Sequence, residues 1–213
     1  MKAAKLMRTG EPPDAVSVLE SDRPEPAEGQ LLVEVHEAGV NPADVKITEG
    51  YMPAPPGATL GEDFAGVVVE TGPGVSGFEP GQQIYGMAGT LNGKGSGSFA
   101  EYELVDADAV APKPSSLSEQ EAGALPLTGI MALQAMTEHL DLGPGKKLLI
   151  QGGAGGIGSI AIQIAKHLGA YVATTCAGDE FDYVRELGAD EVIDYTTERF
   201  EQRLSGYDAV YDL

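Results

Sequence analysis

Tryptophan is absent from this sequence, and cysteine occurs once, at Cys176. A lone cysteine excludes an intrachain disulfide framework and any zinc site built from several thiolates, and it points to a reducing compartment, the cytoplasm. Basic residues are scarce: 13 Lys and Arg stand against 33 Asp and Glu, a net charge of −20. A field of that sign repels phosphodiester backbones, so no nucleic-acid partner is expected. The acids are scattered and form no tail. The plain reading is a well-solvated surface; a salt-adapted host is the alternative, because screening relieves self-repulsion. No run of about 18 apolar residues exists, so no membrane partner is expected. The start, "MKAAKLMRTG", lacks the apolar core of a secretion signal. What remains is a chain of 213 residues with ordinary globular composition and enough length to bury a core.

Glycine and proline punctuate the first half. "LLVEVHEAGV" alternates apolar and polar residues over 31–36, the period of a half-buried strand. "FAGVVVETG" reads as another strand, closed by "GPG" at 72–74, and "FEPGQQIYGM" and "FAEYELV" as further short strands between glycine-rich turns. The loop "GTLNGKGSGS" at 89–98 is glycine-heavy and expected to be mobile. No repeat appears. This half, about 1–115, is expected to form a small β-barrel.

The period then changes. In "SLSEQEAGALPLTGIMALQAMTEHL", Ser116 or Ser118 can cap a helix, with Glu121 three residues after Ser118. Leu125–Pro126 interrupts it, and Thr128 opens another helical stretch. After the turn "DLGPGKK" come the short strand "KLLIQ", a glycine-rich loop, and a helix with Ile157, Ala161, Ile164, Ala165 and Leu168 on one face. "YVATT" is a second strand, "GDEFDYVRELGAD" a second helix stopped by Gly188, "EVIDY" a third strand and "YDAVYDL" a fourth. This alternation builds a parallel sheet with crossover helices, an α/β architecture.

Within "QGGAGGIGSIAIQIAKHLGA" two spacings overlap. Gly153, Gly155 and Gly158 make G-x-G-x-x-G, and Gly152, Gly155 and Gly158 make G-x-x-G-x-x-G. Either is weak alone. Here the loop follows a strand and opens a helix, the context in which it binds a dinucleotide. Glycines allow the tight turn and close approach to a pyrophosphate, which the helix N-terminus attracts. Gly152, Gly153, Ala154, Gly155, Gly156, Ile157 and Gly158 are therefore the candidate cradle. An NAD site places a carboxylate at the end of the second strand. This chain has "TTCAG", Thr174 to Gly178, with no carboxylate before Asp179. Small neutral residues such as Thr175 and Cys176 leave room for a 2′-phosphate and favour NADPH, with Tyr195 and Lys166 as further candidates. The alternative is that Thr175 is strand filler and the site is unselective.

The segments "GVNPADVK", "GEDFAGVVVETG", "GQQIYG", "GSFAEY", "LPLTGIMA" and "QGGAGGIGSIAIQIAKHLGA" occur in an order that resembles the medium-chain dehydrogenase/reductase superfamily. Within it, the chain is most similar to the zinc-independent quinone oxidoreductase (zeta-crystallin-like) branch. The resemblance implies a GroES-like β-barrel domain over 1–122 carrying the substrate and catalytic residues. A partial Rossmann (doubly wound parallel) domain over 123–213 follows. A homodimer is expected of the full-length form. Zinc-dependent relatives use a Cys, a Gly-His-Glu segment and a four-Cys loop. Here the Cys position is Asn41, the His position is Glu62, and the four-Cys loop is absent. Zinc prefers thiolate and imidazole ligands, so no metal is expected. His36, His139 and His167 are scattered. Glu62, Asp63 and Asp44 read as structural, hydrogen-bonded acids rather than acid/base groups.

Without zinc, hydride transfer needs an acceptor that is already activated, such as a conjugated carbonyl, and hydrogen-bond donors for the oxygen where charge develops. The resemblance implies a quinone or α,β-unsaturated carbonyl as the small-molecule substrate. It places Asn41 as the residue that orients substrate and nicotinamide, Tyr51 as a donor to the carbonyl oxygen, and Thr128 near the nicotinamide. Lys46 stands where quinone-reducing relatives often carry Tyr, and a cation there can steady an enolate. In the resembled family "YDAVYDL" is the fourth strand of the cofactor domain and about a third of the protein follows it. These residues alone are thus expected to expose a sheet edge and to fold poorly. Two other readings stay open: a non-catalytic NADPH-binding protein, and an enoyl-reductase module of a larger assembly.

Overall fold

The computed structural model describes residues 1–11, 14–90 and 96–213, so residues 91–95 of the expected mobile loop at 89–98 lie outside the described residues. Contacts divide the chain into two units, Met1–Leu127 and Thr128–Leu213.

In the first unit, β1 (Lys2–Leu6) and β2 (Val16–Glu20) pair antiparallel. Neither is legible in the sequence: Val18 and Leu19 of β2 are exposed, so its apolar residues follow no buried face. Next come β3 (Gln30–Gly39), helix α1 (Pro42–Thr48), β4 (Asp63–Thr71), β5 (Gln83–Met87), β6 (Tyr102–Asp106) and β7 (Val110–Pro112). The five strands from β3 onward form one antiparallel sheet in the order β6-β3-β4-β5-β7. Bridges Ala3↔Ala100 and Lys5↔Thr59 join β1 to segments outside that sheet. Leu31, Val33, Phe64, Val68, Ile84 and Val105 fill its centre. Each such side chain contributes about 1.5–3 kcal/mol by leaving water.

Helix α2 (Glu119–Gly123) starts at Ser118, whose hydroxyl accepts from the Glu121 N–H at 3.2 Å while Glu121 returns a carboxylate to the Ser118 N–H at 2.8 Å. It packs on β3 and β4, with Ala122 and Gly123 buried. The sequence places the domain boundary after 122, whereas the contacts change at Leu127. The boundary falls inside helix α3 (Pro126–Gln134), which continues through a π turn over Ala135–His139. Pro126 begins this helix instead of merely interrupting one, because the first helical position needs no N–H.

The second unit runs β8 (Lys147–Gln151), α4 (Gly156–His167), β9 (Tyr171–Cys176), α5 (Phe181–Glu186), β10 (Glu191–Asp194), α6 (Phe200–Arg203) and β11 (Ala209–Tyr211). All its strands are parallel, in the order β10-β9-β8-β11. The chain leaves β8 toward β9 on one side and later returns to β8 from the other. That reversal is the switch point of a Rossmann half-sheet, where ligands collect at the strands' C-terminal ends. The core joins Leu148, Ile150, Val172, Val192, Ala161, Ile162 and Ala165 to Ala132 and Met136. Ile162, absent from the expected face of α4, is fully buried, while Ile157, Ile164 and Leu168 pack at its margin. Among the described residues, strand β11 pairs on one side only, and its Val210 is 51% exposed. Among those residues, too, no helix is long and apolar enough to cross a membrane.

Candidate functional site

The glycine loop joins the C-terminal end of β8 to the N-terminus of α4. Gly152 adopts φ +77°, a left-handed turn that favours glycine. Its N–H donates to Thr175 Oγ1 at 3.1 Å, and the Gly153 N–H donates to the Thr175 carbonyl at 3.0 Å. Gly158 lies so close to the loop that a Cβ on it would stand 2.2 Å from the Gly152 carbonyl oxygen and 2.8 Å from Gly153 Cα. The first turn of α4 is thereby pressed onto the strand. Gly155 caps the helix without a side chain, and the Ser159 N–H closes onto its carbonyl at 2.9 Å. The N–H groups of the first turn then lack intrahelical acceptors, as in any helix, and carry its positive dipole end. Gly152, Gly155 and Gly156 are exposed, and among the described residues nothing lies within 4 Å of a Cβ added at Gly152. The donor set and the open backbone fit a dinucleotide pyrophosphate. Ala154 and Ile157 are half-buried beside this turn. Thr128 Cγ2 lies 3.5 Å from the position of a Cβ on Gly156, so the structure brings Thr128 to the loop.

Thr175 and Cys176 are buried, at 4% and 1% exposure. The Thr175 hydroxyl is engaged in holding Gly152, and burial pushes the Cys176 thiol up to about 11. The Thr175 side chain holds the loop, and Cys176 fills the core. Lys166 is engaged elsewhere: its Nζ donates to both oxygens of Asp190, at 2.9 and 2.7 Å, and to the Ala170 carbonyl at 3.1 Å. Tyr195 is exposed, and its N–H donates to the Cys176 carbonyl at 3.4 Å, which keeps it at the end of β9. Gly178 follows there, with Asp194 Oδ2 3.0 Å from where its Cβ would be. Hydrogen bonds from Thr196 hold the Asp194 carboxyl below the usual range.

In the first unit, Asn41 precedes α1 and is 7% exposed. Its N–H donates to Asp44 Oδ2 at 2.8 Å, and the Gly61 N–H donates to Asp44 Oδ1 at 3.2 Å. The Asn41 carboxamide donates from Nδ2 to Asp63 Oδ2 at 2.9 Å. Burial raises both acids, Asp63 to about 6. Glu62 is buried, and its Oε2 accepts from the Thr90 N–H at 3.1 Å and from the Thr90 hydroxyl. Lys46, on α1, and Tyr51, three residues past its end, are exposed, Tyr51 at 80%. A cavity of about 440 Å³ opens beside them, lined by Ile47, Met52, Pro53, Leu60 and Thr90 among others. Among the described residues no group of three or more His, Cys, Asp or Glu is placed to hold a metal ion.

Comparison with known proteins agrees with both units. Residues 27–115 match the alcohol dehydrogenase GroES-like domain, and residues 156–213 match the zinc-binding dehydrogenase family model. The quinone oxidoreductase of Coxiella burnetii superimposes with a TM-score of 0.90 at 34% identity, over 100% of this chain and 68% of that one. The chain belongs to the quinone oxidoreductase branch of the medium-chain dehydrogenase/reductase superfamily. Other members of this superfamily sharpen the picture. The 2-methylene-furan-3-one reductase of Solanum lycopersicum is 41% identical over 197 residues, covering 89% of this chain and 50% of the relative. The Escherichia coli quinone oxidoreductase, solved in complex with NADPH, aligns with a TM-score of 0.86 at 28% identity, over 96% of this chain and 61% of that one. The chain spans about half the length of the curated relatives it matches.

Sequence reasoning identifies Asp44 and Asp63 as hydrogen-bonded acids but not their partners. No spacing announces that Asp63 reaches back 22 residues to Asn41.

Proposed function

We propose that the protein is a zinc-independent reductase that transfers hydride from NADPH to a quinone or α,β-unsaturated carbonyl compound. The open glycine cradle at the end of β8 carries this reading, since it offers backbone donors and a helix N-terminus to a pyrophosphate. When bound, the reduced nicotinamide supplies the hydride. The chain's own residues then orient the acceptor and stabilise its oxygen. Asn41, held through Nδ2 by Asp63, keeps its carbonyl oxygen as an acceptor for a ligand. Lys46 and Tyr51 are exposed donors for the oxygen where charge develops, and the cavity beside Ile47 and Met52 suits a small, largely apolar acceptor. With Asn41 and Glu62 at the positions of a thiolate and an imidazole ligand, the site lacks the donors zinc prefers. A relative named as a 2-methylene-furan-3-one reductase supports a conjugated ketone as acceptor.

The neutral end of β9 and the NADPH complex of a relative support NADPH. A second reading, NADH, is favoured by Asp194 beside Gly178, because a carboxylate accepts from a ribose hydroxyl and repels a phosphate. The test is to mix the intact protein with each reduced nicotinamide and a panel of enones and quinones, following loss of the cofactor's absorbance. Binding of cofactor with no acceptor-dependent oxidation would leave a binding protein instead of an enzyme.

A further inference from the structure

We propose that Asp63 is a positioning residue for this reaction, fixing which face of the Asn41 carboxamide meets the ligand; this rests on the reductase reading above. Asp63 opens β4 opposite Gly39, the last residue of β3. A Cβ at Gly39 would come within 3.0 Å of Asp63 Cβ, so the missing side chain gives the carboxylate space next to the strand that leads into Asn41. Both carboxylate oxygens are used. Oδ2 accepts from Asn41 Nδ2 at 2.9 Å, and Oδ1 accepts from the Leu127 N–H at 2.7 Å. Leu127 provides the first N–H of α3, because Pro126 before it has none. An acid at that end is also favoured by the helix dipole.

The geometry removes an ambiguity in Asn41. The two ends of a carboxamide are nearly the same shape, and a half-turn about the last bond exchanges donor for acceptor. A carboxylate accepts and cannot donate, so only one of the two orientations pairs with Asp63. Asp44 cannot make this choice, since its oxygens are engaged with the backbone N–H groups of Asn41 and Gly61. Thus Asp63 commits Nδ2 inward and leaves Oδ1 as the acceptor Asn41 presents. An asparagine at 63 would turn an NH2 group toward one of its two donor neighbours and lose the discrimination.

The experiment is Asp63→Asn in the intact protein. Turnover with an enone should fall about 10- to 100-fold, as expected for a misplaced reacting group. The Kd for NADPH, read by fluorescence titration, should change by less than about threefold. The Asn41 side-chain amide resonances should move in a ¹⁵N spectrum. Turnover within about twofold of wild type would overturn the proposal, even if the melting temperature drops. If the variant does not fold, the wild type decides. Its Asn41 side-chain amide should be protected from hydrogen exchange, and exchange at the rate of a free amide would overturn the assignment. A wild type that binds NADPH but reduces nothing defeats the reductase reading, while the exchange measurement still decides the role of Asp63.

Discussion

The two units make their sites from different materials. In the second unit the site is backbone: glycines packed against backbone at close range, N–H groups at a helix start, and a threonine hydroxyl behind them. In the first unit it is side chains steered by buried carboxylates, Asp44 and Asp63, with Glu62 and Glu103 buried near them. The electrostatic signs differ as well. Burial raises Asp44, Asp63 and Glu103, whereas hydrogen bonds lower Asp194 beside Gly178. A backbone site tolerates pH and fails when volume is added. A carboxylate site tolerates volume better and fails when charge or a hydrogen bond changes.

Four variants test that contrast. The largest effect is expected from Gly158→Ala, whose Cβ would strike the Gly152 carbonyl at 2.2 Å. It should cost about 3 kcal/mol in a urea melt and abolish NADPH binding; binding at wild-type affinity would show that the loop is not tightly packed. Asp44→Ala strands the N–H groups of Asn41 and Gly61. A loss of about 2 kcal/mol is expected, concentrated in hydrogen exchange of the first unit.

Glu103 is fully buried, and neither of its carboxylate oxygens has a hydrogen-bond partner among the described residues. Burial, then the Glu62 charge, holds its carboxyl well above the ordinary range. The folded state therefore keeps a proton that the unfolded chain releases, so this group's contribution to stability is lost as pH rises above the carboxylate range. Asp63 acts in the same direction, from 3.8 up to about 6. Glu103→Leu should stabilise the protein at neutral pH by about 1.5 kcal/mol and flatten the pH dependence of its melting temperature. A variant that melts lower at neutral pH would argue that Glu103 has an unseen partner. The smallest effect belongs to Gly152→Ala. The added Cβ meets no described atom within 4 Å, so only the φ of +77° is strained. About 1 kcal/mol is expected, and a cost equal to that of Gly158→Ala would erase the distinction between turn and close approach.

Most of the second unit is legible in the order of its residues. The glycine spacing, the flanking strand and the helix are local, and local pattern implies local geometry. The Ser118–Glu121 capping box is equally legible, for the same reason. Side-chain direction is not. Thr175 and Cys176 sit at the expected point of the sequence, yet β9 lies between β8 and β10, so both point into protein. Lys166 is four residues from Ala170, which closes the far end of α4, and its charge is taken by Asp190. Strand β2 leaves no signal because it is exposed along most of its length and has no buried face to create a period, and β1 buries only Ala3 and Leu6, three apart.

By itself, the sequence determined the order of the elements from β3 onward and the glycine loop at Gly152–Gly158. These are properties of neighbouring residues and of residue type. Tertiary structure alone decided that Asp63 faces Asn41 and Leu127, across 22 and 64 positions of chain, and that Thr128 lies at Gly156. Hydrogen bonds form over about 3 Å of space whatever the distance along the chain, so a partner set by sheet register and helix start leaves no periodic trace to read.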